Sequence, residues 1–307
     1  MGNRLSGKNA VVTGAGRGIG RAIALALAEE GANVVVCKLK ATGDWTADDK
    51  SPADEVVEQC RDLGVRAVSY HGDVASFHTA EDIVRTCVDT FGTIDILCNI
   101  AGIQKSGMIF GISEEDWDRV VAIHLKGTFN LLRHATPFMR QHRYGRILNC
   151  VSDAMVGLAG NSHYVAAKGG IASLTYATAL DMKKYGVTCN AIAPGGATRM
   201  SLSPESIAAY RKWVEAGIWT EKQYEDAIHV PPPEHMGVIA AFLCSDAAAH
   251  ITGCIFGAMG HRLSYWTPPV ESVVFARDWE KEGRWTWEEV EKHMHTLLRQ
   301  YVGPAQS

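Results

Sequence analysis

The sequence predicts an α/β fold: a single doubly wound parallel sheet with helices on both faces. Three observations carry this expectation. Apolar runs of strand length alternate with stretches of helical periodicity through most of the 307 residues. Those runs, such as Val34-Val35-Val36, are apolar at successive positions and leave neither face for water. A glycine-rich turn, Gly14-Ala15-Gly16-Arg17-Gly18-Ile19-Gly20, joins the first run to the first helical pattern.

Strands are expected at residues 9–13, 33–37, 66–70, 94–99, 145–151 and 188–193, with a last one near 254–257. Helical periodicity fills 19–30, 53–63, 79–91, 113–142 and 163–184. Two stretches break the alternation. Residues 40–52 make a long polar connection rich in Asp, Thr and Gly. Residues 201–233 carry their own helical pattern and end in Pro231-Pro232-Pro233. Insertions of this length beside strand C-termini form lids and substrate walls. From Arg262 the chain turns aromatic and polar, with Trp266, Trp279, Trp285 and Trp287. The expected organisation is a sheet domain of residues 1–261, insertion included, and a C-terminal extension of 262–307. So many indoles are expected to pack on their own domain or on a neighbouring subunit.

Composition narrows the classes. With 47% hydrophobic and 21% charged residues the chain is of globular type. A formal net charge of -4 and no local cluster of Lys and Arg argue against nucleic acid as a partner. The longest apolar stretches, 22–28 and 237–244, fall short of the ~18 residues a membrane span needs, so no membrane insertion is expected. The residues before the first strand lack the apolar core of a signal peptide. Eight cysteines are scattered with no C-x-x-C pair, and Cys37, Cys98, Cys150 and Cys189 fall at or near strand ends, where a thiol packs as a small hydrophobe. This usage points to a reducing, cytoplasmic setting.

The glycine turn follows a strand and opens a helix, where backbone N–H groups approach a pyrophosphate. Gly14, Arg17, Gly18, Ile19 and Gly20 are therefore read as a dinucleotide site, the plain alternative being a structural turn. Lys38 stands eighteen residues after Gly20, where an acid would hold the ribose 2′-OH of NAD. A lysine there, beside Arg17, attracts a 2′-phosphate and favours NADP(H) over NAD(H); the alternative is a solvated strand end. Asp73, followed by Val74, is placed to accept from an adenine amino group or to cap a helix. Asn99, Ala101 and Gly102 close the fourth strand with room for a cofactor, and Pro194 and Gly195, with Thr198 beyond, close the sixth.

Tyr164 and Lys168 are one helical turn apart and share a helix face. A free phenol titrates near pH ~10, and an ammonium beside it favours the phenolate. Tyr164 is thereby fitted for acid–base work, and Ser152, ending the fifth strand, for polarising a carbonyl. Every one of these residues falls at the C-terminal edge of the sheet, where ligands of open α/β sheets bind. No metal site is read.

Thr13-Gly14-x3-Gly18-x-Gly20, Asn99-x-Ala101-Gly102, Ser152, Tyr164-x3-Lys168 and Pro194-Gly195 follow the order of the short-chain dehydrogenase/reductase family, which the sequence resembles from about residue 5 to 260. The resemblance implies a Rossmann fold, with Tyr164 as general acid/base and Ser152 orienting the substrate oxygen. Lys168 would lower the pKa of the phenol and hold the nicotinamide ribose. Homodimers or homotetramers through the helices beginning near 113 and 163 are also implied. More narrowly, Val120 to Gly127, the long second connection and the Trp-bearing tail look like the hydroxyacyl-CoA dehydrogenase units of peroxisomal multifunctional enzymes and their bacterial relatives in steroid and acyl-CoA breakdown.

Two residues depart from the family pattern. His124 stands where an asparagine usually supports a water in a proton relay; its imidazole either donates or accepts there, or only fills the helix packing. Lys38 stands where that branch usually carries aspartate, and Asp44, Asp48 or Asp49 would bind the 2′-OH instead if one folded back. The expected activity is NAD(P)-dependent interconversion of a secondary alcohol and a ketone, the substrate being a hydroxyacyl-CoA or hydroxysteroid. The alternatives are reduction of a 3-oxoacyl thioester or xenobiotic ketone and, in another class, sensing of NADP(H) without turnover.

Overall fold

Valines at two-residue spacing build the middle of the sheet. In the computed structural model, which describes residues 2–39, 51–198, 201–259, 262–271 and 273–301, β1 (Asn9–Thr13) and β2 (Asn33–Lys38) run parallel with Val11 opposite Val35. Asp44, Asp48 and Asp49 lie outside the described residues. Val12, Val34 and Val36 turn to one face and pack with α1 (Gly18–Glu29), α2 (Pro52–Asp62) and α9 (Gly237–Leu243). Val11, Val35 and Cys37 turn to the other and pack with α3 (Phe77–Phe91), α5 (Gly127–His142) and the C-terminal part of α6 (Ser162–Met182). The strand period of two thus divides one apolar run between two cores.

The other strands are β3 (Ala67–His71), β4 (Ile96–Asn99), β5 (Gly145–Cys150), β6 (Val187–Pro194), β7 (Ile255–Ala258) and β8 (Leu263–Trp266). Their order is β3-β2-β1-β4-β5-β6-β7-β8, parallel from β3 through β7. The chain leaves β1 toward one side of the sheet and returns at β4 on the other. Between those two strands lies the switch point where an open α/β sheet forms its crevice. Elements expected from sequence lie within two residues of those observed, apart from the unexpected α9 and C-terminal helices and two further exceptions.

The first of these two is the helix expected over 113–142. It is interrupted: α4 (Glu114–Val121) passes through a π-helical turn, Ala122–Lys126, before α5 begins. The second is β8, which pairs antiparallel with β7, Tyr265 opposite Phe256, where no strand was expected. The insertion forms α7 (Pro204–Glu215) and α8 (Glu221–Ile228), started by Ser203 and by a Thr220–Gln223 capping box. Among the described residues no helix is long and apolar enough to cross a membrane.

The described residues divide into two units, one to Trp266 and one from Thr267. The second contains α10 (Trp279–Glu282) and α11 (Trp287–Tyr301). Within it Arg277 donates to the Glu289 carboxylate at 3.0 and 3.3 Å and lies 4.6 Å over the Trp285 ring. Of the expected buried indoles, Trp266 packs against the cluster of Val151, Ile171 and Ile255, whereas Trp285 and Trp287 are 37% and 80% exposed. The side chain of Trp279 lies outside the described residues. Truncation after Leu263 removes most of β8 and uncovers the β7 edge, whereas truncation after Trp266 leaves the sheet whole. Burial of one large side chain is worth ~2–3 kcal/mol, so the shorter protein is expected to melt roughly 5 °C below the longer one. Equal melting temperatures by calorimetry would make β8 dispensable.

Candidate active site

The crevice is held by one threonine. Thr13, buried at the end of β1, accepts the N–H groups of Ile100 (3.0 Å) and Ala101 (3.1 Å) through Oγ1 and donates to the Cys98 carbonyl (3.3 Å). These bonds draw the exit of β4 against the glycine turn. Gly14 and Gly18 have φ of 66° and 55°, in the left-handed region, and a Cβ on Gly20 would lie 2.3 Å from the Gly14 oxygen. A Cβ on Gly16 would meet Lys38 Cδ at 3.1 Å, so the Lys38 side chain crosses the turn. On Gly18 it would meet Thr198 at 3.3 Å. Among the described residues no side chain caps α1. A cradle closed to side chains at a helix N-terminus fits a dinucleotide pyrophosphate, and Gly14, Arg17, Gly18, Ile19 and Gly20 would hold it.

Asp73 is engaged from two sides: one oxygen accepts the Ala75 N–H (3.0 Å) and the other pairs with Arg119 (2.6 Å). It does not cap α3; Ser76 does, accepting the Thr79 N–H. Val74 is buried against Gly127. Asn99 donates to Asn149 at 2.9 Å, and its Oδ1 is buried without a hydrogen-bond partner among the described residues. Gly195 N–H donates to the Ala258 carbonyl (2.9 Å), anchoring the turn after Pro194, and Thr198 Oγ1 lies 3.1 Å from the Ser201 hydroxyl.

Tyr164 and Lys168 share one face of α6. Lys168 is 2% exposed, donates to the Cys150 carbonyl at 2.5 Å and stands 5.5 Å from the centre of the Tyr164 ring. Ser152, at the C-terminal end of β5, donates to Asp153 (3.0 Å) and accepts the Ala154 N–H (3.2 Å). Burial raises the Tyr164 phenol above its ordinary value; Lys168 and a Ser152 hydrogen bond lower it without overcoming burial. The expected pull of Lys168 therefore has the right sign but is outweighed. At neutral pH Tyr164 is a phenol, an acid.

His124 completes the group. Its ring meets that of Tyr164 edge-on at 5.2 Å and 90°. It is 3% exposed, and burial, then the charge of Lys168, holds it down to about 3, so the imidazole is neutral. Nε2 lies 2.8 Å from the Ile103 carbonyl and 3.1 Å from the Ile103 N–H. Nδ1 is buried and has no hydrogen-bond partner among the described residues. A lone buried ring nitrogen beside a lysine and a phenol is suited to receive a water.

Sequence reasoning missed the carbonyl partners of Lys168 and His124, and Arg119. It also missed three rings of the insertion: Tyr210, Trp213 and Trp219. Their spacing was visible, Tyr210 and Trp213 being one turn apart on a helix. They line a cavity of about 270 Å³ together with Gln104, Asp153, Ala154, Gly157 and Leu158, adjoining Ser152.

The short chain dehydrogenase family model matches residues 8–205. The chain belongs to the short chain dehydrogenase family, and it is an oxidoreductase. A Mycobacterium tuberculosis protein, hydroxyacyl-CoA dehydrogenase ChsB1, is 37% identical over 283 residues, 89% of this chain and 84% of that protein. The 3-oxoacyl-[acyl-carrier-protein] reductase FabG of Staphylococcus epidermidis is 37% identical over 249 residues, 80% and 95% of the two chains. A crystal structure of a short chain dehydrogenase from Mycobacterium avium superposes with TM-score 0.80 at 34% identity, over 98% and 97% of the chains.

Within this short chain dehydrogenase, His124 and Gly102 depend on each other: a Cβ on Gly102 would lie 2.4 Å from His124 Cε1. Gly102→Ala is expected to destabilise by ~1–3 kcal/mol through overpacking. His124→Asn, which removes the ε atoms, is expected to relieve most of that loss in the double variant. Additive losses on denaturant titration would show that the two sites are independent.

Proposed function

We propose that the protein interconverts a secondary alcohol and a ketone with NADP(H), using Tyr164 as acid/base. The observation that carries this is convergence: Tyr164, Ser152 and Lys168 meet at the C-terminal edge of the sheet beside the glycine cradle. The nicotinamide, when bound, supplies or accepts the hydride. Ser152 donates to the substrate oxygen and stabilises charge there. Tyr164 gives its proton to that oxygen in reduction and takes it back in oxidation. Lys168, anchored by the Cys150 carbonyl, offsets the phenolate charge and would hold the nicotinamide ribose. His124 offers Nδ1 to a water near Lys168, positioning it without carrying charge. Asp73, Val74, Asn99, Ala101, Gly102, Pro194, Gly195 and Thr198 would line the cofactor. Cytoplasmic location and a homodimer or homotetramer complete the reading.

The substrate is read as a hydroxyacyl-CoA or hydroxysteroid, the former supported by the mycobacterial hydroxyacyl-CoA dehydrogenase relative. The 3-oxoacyl-[acyl-carrier-protein] reductase relative supports reduction of a 3-oxoacyl thioester as the alternative. Sensing of NADP(H) without turnover would need no complete Ser-Tyr-Lys set.

Tyr164→Phe is expected to lower turnover ~10²–10⁴-fold with cofactor affinity nearly intact, since only the proton donor is lost. Retention of more than half the activity would remove Tyr164 from the mechanism. Reduction needs the protonated phenol, whose pKa burial raises. The reductive rate is thus expected to stay level through neutral pH and fall only on the alkaline side of ~10, while oxidation quickens as pH rises.

Lys38 and Arg17 are expected to make NADP(H) bind at least ~10-fold more tightly than NAD(H), since a charge-assisted hydrogen bond is worth ~1.5–3 kcal/mol. Lys38→Asp is expected to reverse the order. Equal dissociation constants at one ionic strength, or tighter NAD(H), would refute the preference.

A further inference from the structure

Three aromatic rings form a wall of the cavity that Asp153 and Ala154 also line. Tyr210 and Trp213 lie one turn apart on α7, their centroids 5.6 Å apart. Trp219 stacks on Tyr210 at 5.1 Å and 24°, and meets Trp213 edge-on at 4.9 Å and 66°. The backbone fixes this arrangement. Gly217, at φ 69°, turns the chain after α7, and the Trp213 carbonyl accepts N–H groups from both Ile218 (2.8 Å) and Trp219 (3.1 Å). All three rings remain partly exposed and line the cavity. The cavity adjoins Ser152, since Asp153 and Ala154, both hydrogen-bonded to the Ser152 hydroxyl, line it.

We infer that this cavity selects flat, fused-ring alcohols and ketones that are uncharged near the reacting carbon, over extended acyl chains. The inference rests on the hydride-transfer reading above and chooses among the substrates it allows. Ordered aromatic faces gain from contact with a flat ring, which has little rotamer freedom to lose, whereas a flexible chain must be ordered against them. Size agrees: an apolar cavity of ~150 Å³ holds benzene, and this one, at about 270 Å³, has room for a second fused ring. Charge agrees as well. Among the described residues the one charged side chain lining it is that of Asp153, held at the cavity by the Ser152 hydroxyl (3.0 Å) and the Ala154 N–H (2.9 Å). A carboxylate there repels an anionic group beside the reacting carbon.

The test compares 2-tetralone with 2-decanone, ketones of equal carbon number, using the full chain supplied with NADPH and with NADH. The expected result is a kcat/KM at least tenfold higher for 2-tetralone. That ratio is expected to fall tenfold or more in Trp213→Leu and Trp219→Leu, mostly through KM, and to survive in Trp219→Phe, which keeps a ring. Equal rates, preference for 2-decanone, or a ratio unmoved in both leucine variants overturns the inference. Calorimetric binding of the two ketones to cofactor-loaded Tyr164→Phe protein separates it from the catalytic reading. If neither ketone is reduced yet 2-tetralone binds tenfold more tightly, hydride transfer to ketones fails and the ring pocket stands. If both are reduced and bind equally, hydride transfer stands and the ring pocket fails.

Discussion

The crevice depends on the hydroxyl of Thr13. Parallel pairing delivers every strand C-terminus to one edge, but an edge alone is only a row of loop starts. Thr13 joins the two loops that diverge at the switch point, accepting the Ile100 and Ala101 N–H groups and donating to the Cys98 carbonyl. Those N–H groups sit at the exit of a buried strand, and left unpaired they would each carry a desolvation cost of ~1–3 kcal/mol. A valine of similar shape would fit the core and leave the β4 exit untied. The glycine turn needs this tie, because Gly14 packs directly against Ala101.

Burial governs the chemistry on the other side of the crevice. Lys168 is almost wholly removed from solvent and keeps its position through a backbone carbonyl, not a carboxylate. Among the described residues no carboxylate pairs with it, and its charge acts on both neighbours, lowering the phenol of Tyr164 and the imidazole of His124. For the phenol, desolvation and the cation oppose each other and desolvation wins. For the imidazole they act together, and the ring stays neutral. Desolvation thus keeps the phenol protonated against the cation and, with the cation, keeps the imidazole uncharged beside it.

The insertion adds a surface of different character. The α6 face is polar and buried, whereas the α7 wall is aromatic and partly exposed. The π-helical turn at Ala122–Lys126 serves the first by turning His124 toward Ile103 and Tyr164. The folded-back turn after α7 serves the second. In both places an irregular backbone segment aims a ring, and regular elements hold that segment in place.

Much of this was legible in the chain itself. Strand positions, the glycine turn, the shared face of Tyr164 and Lys168 and the family pattern all arise from spacings of two, three or four residues, which local geometry converts directly into faces. Tertiary structure decided the rest. Arg119 reaches Asp73 across 46 residues, and Thr13 reaches Ala101 across 88. Both contacts exist only because of which strands and helices become neighbours. The π turn leaves no mark in periodicity, since one extra residue per turn shifts the pattern less than side-chain variety does. The net direction of the Tyr164 shift follows from desolvation set against one cation, and the amount of water excluded is a property of the packed protein, not of any segment of its sequence.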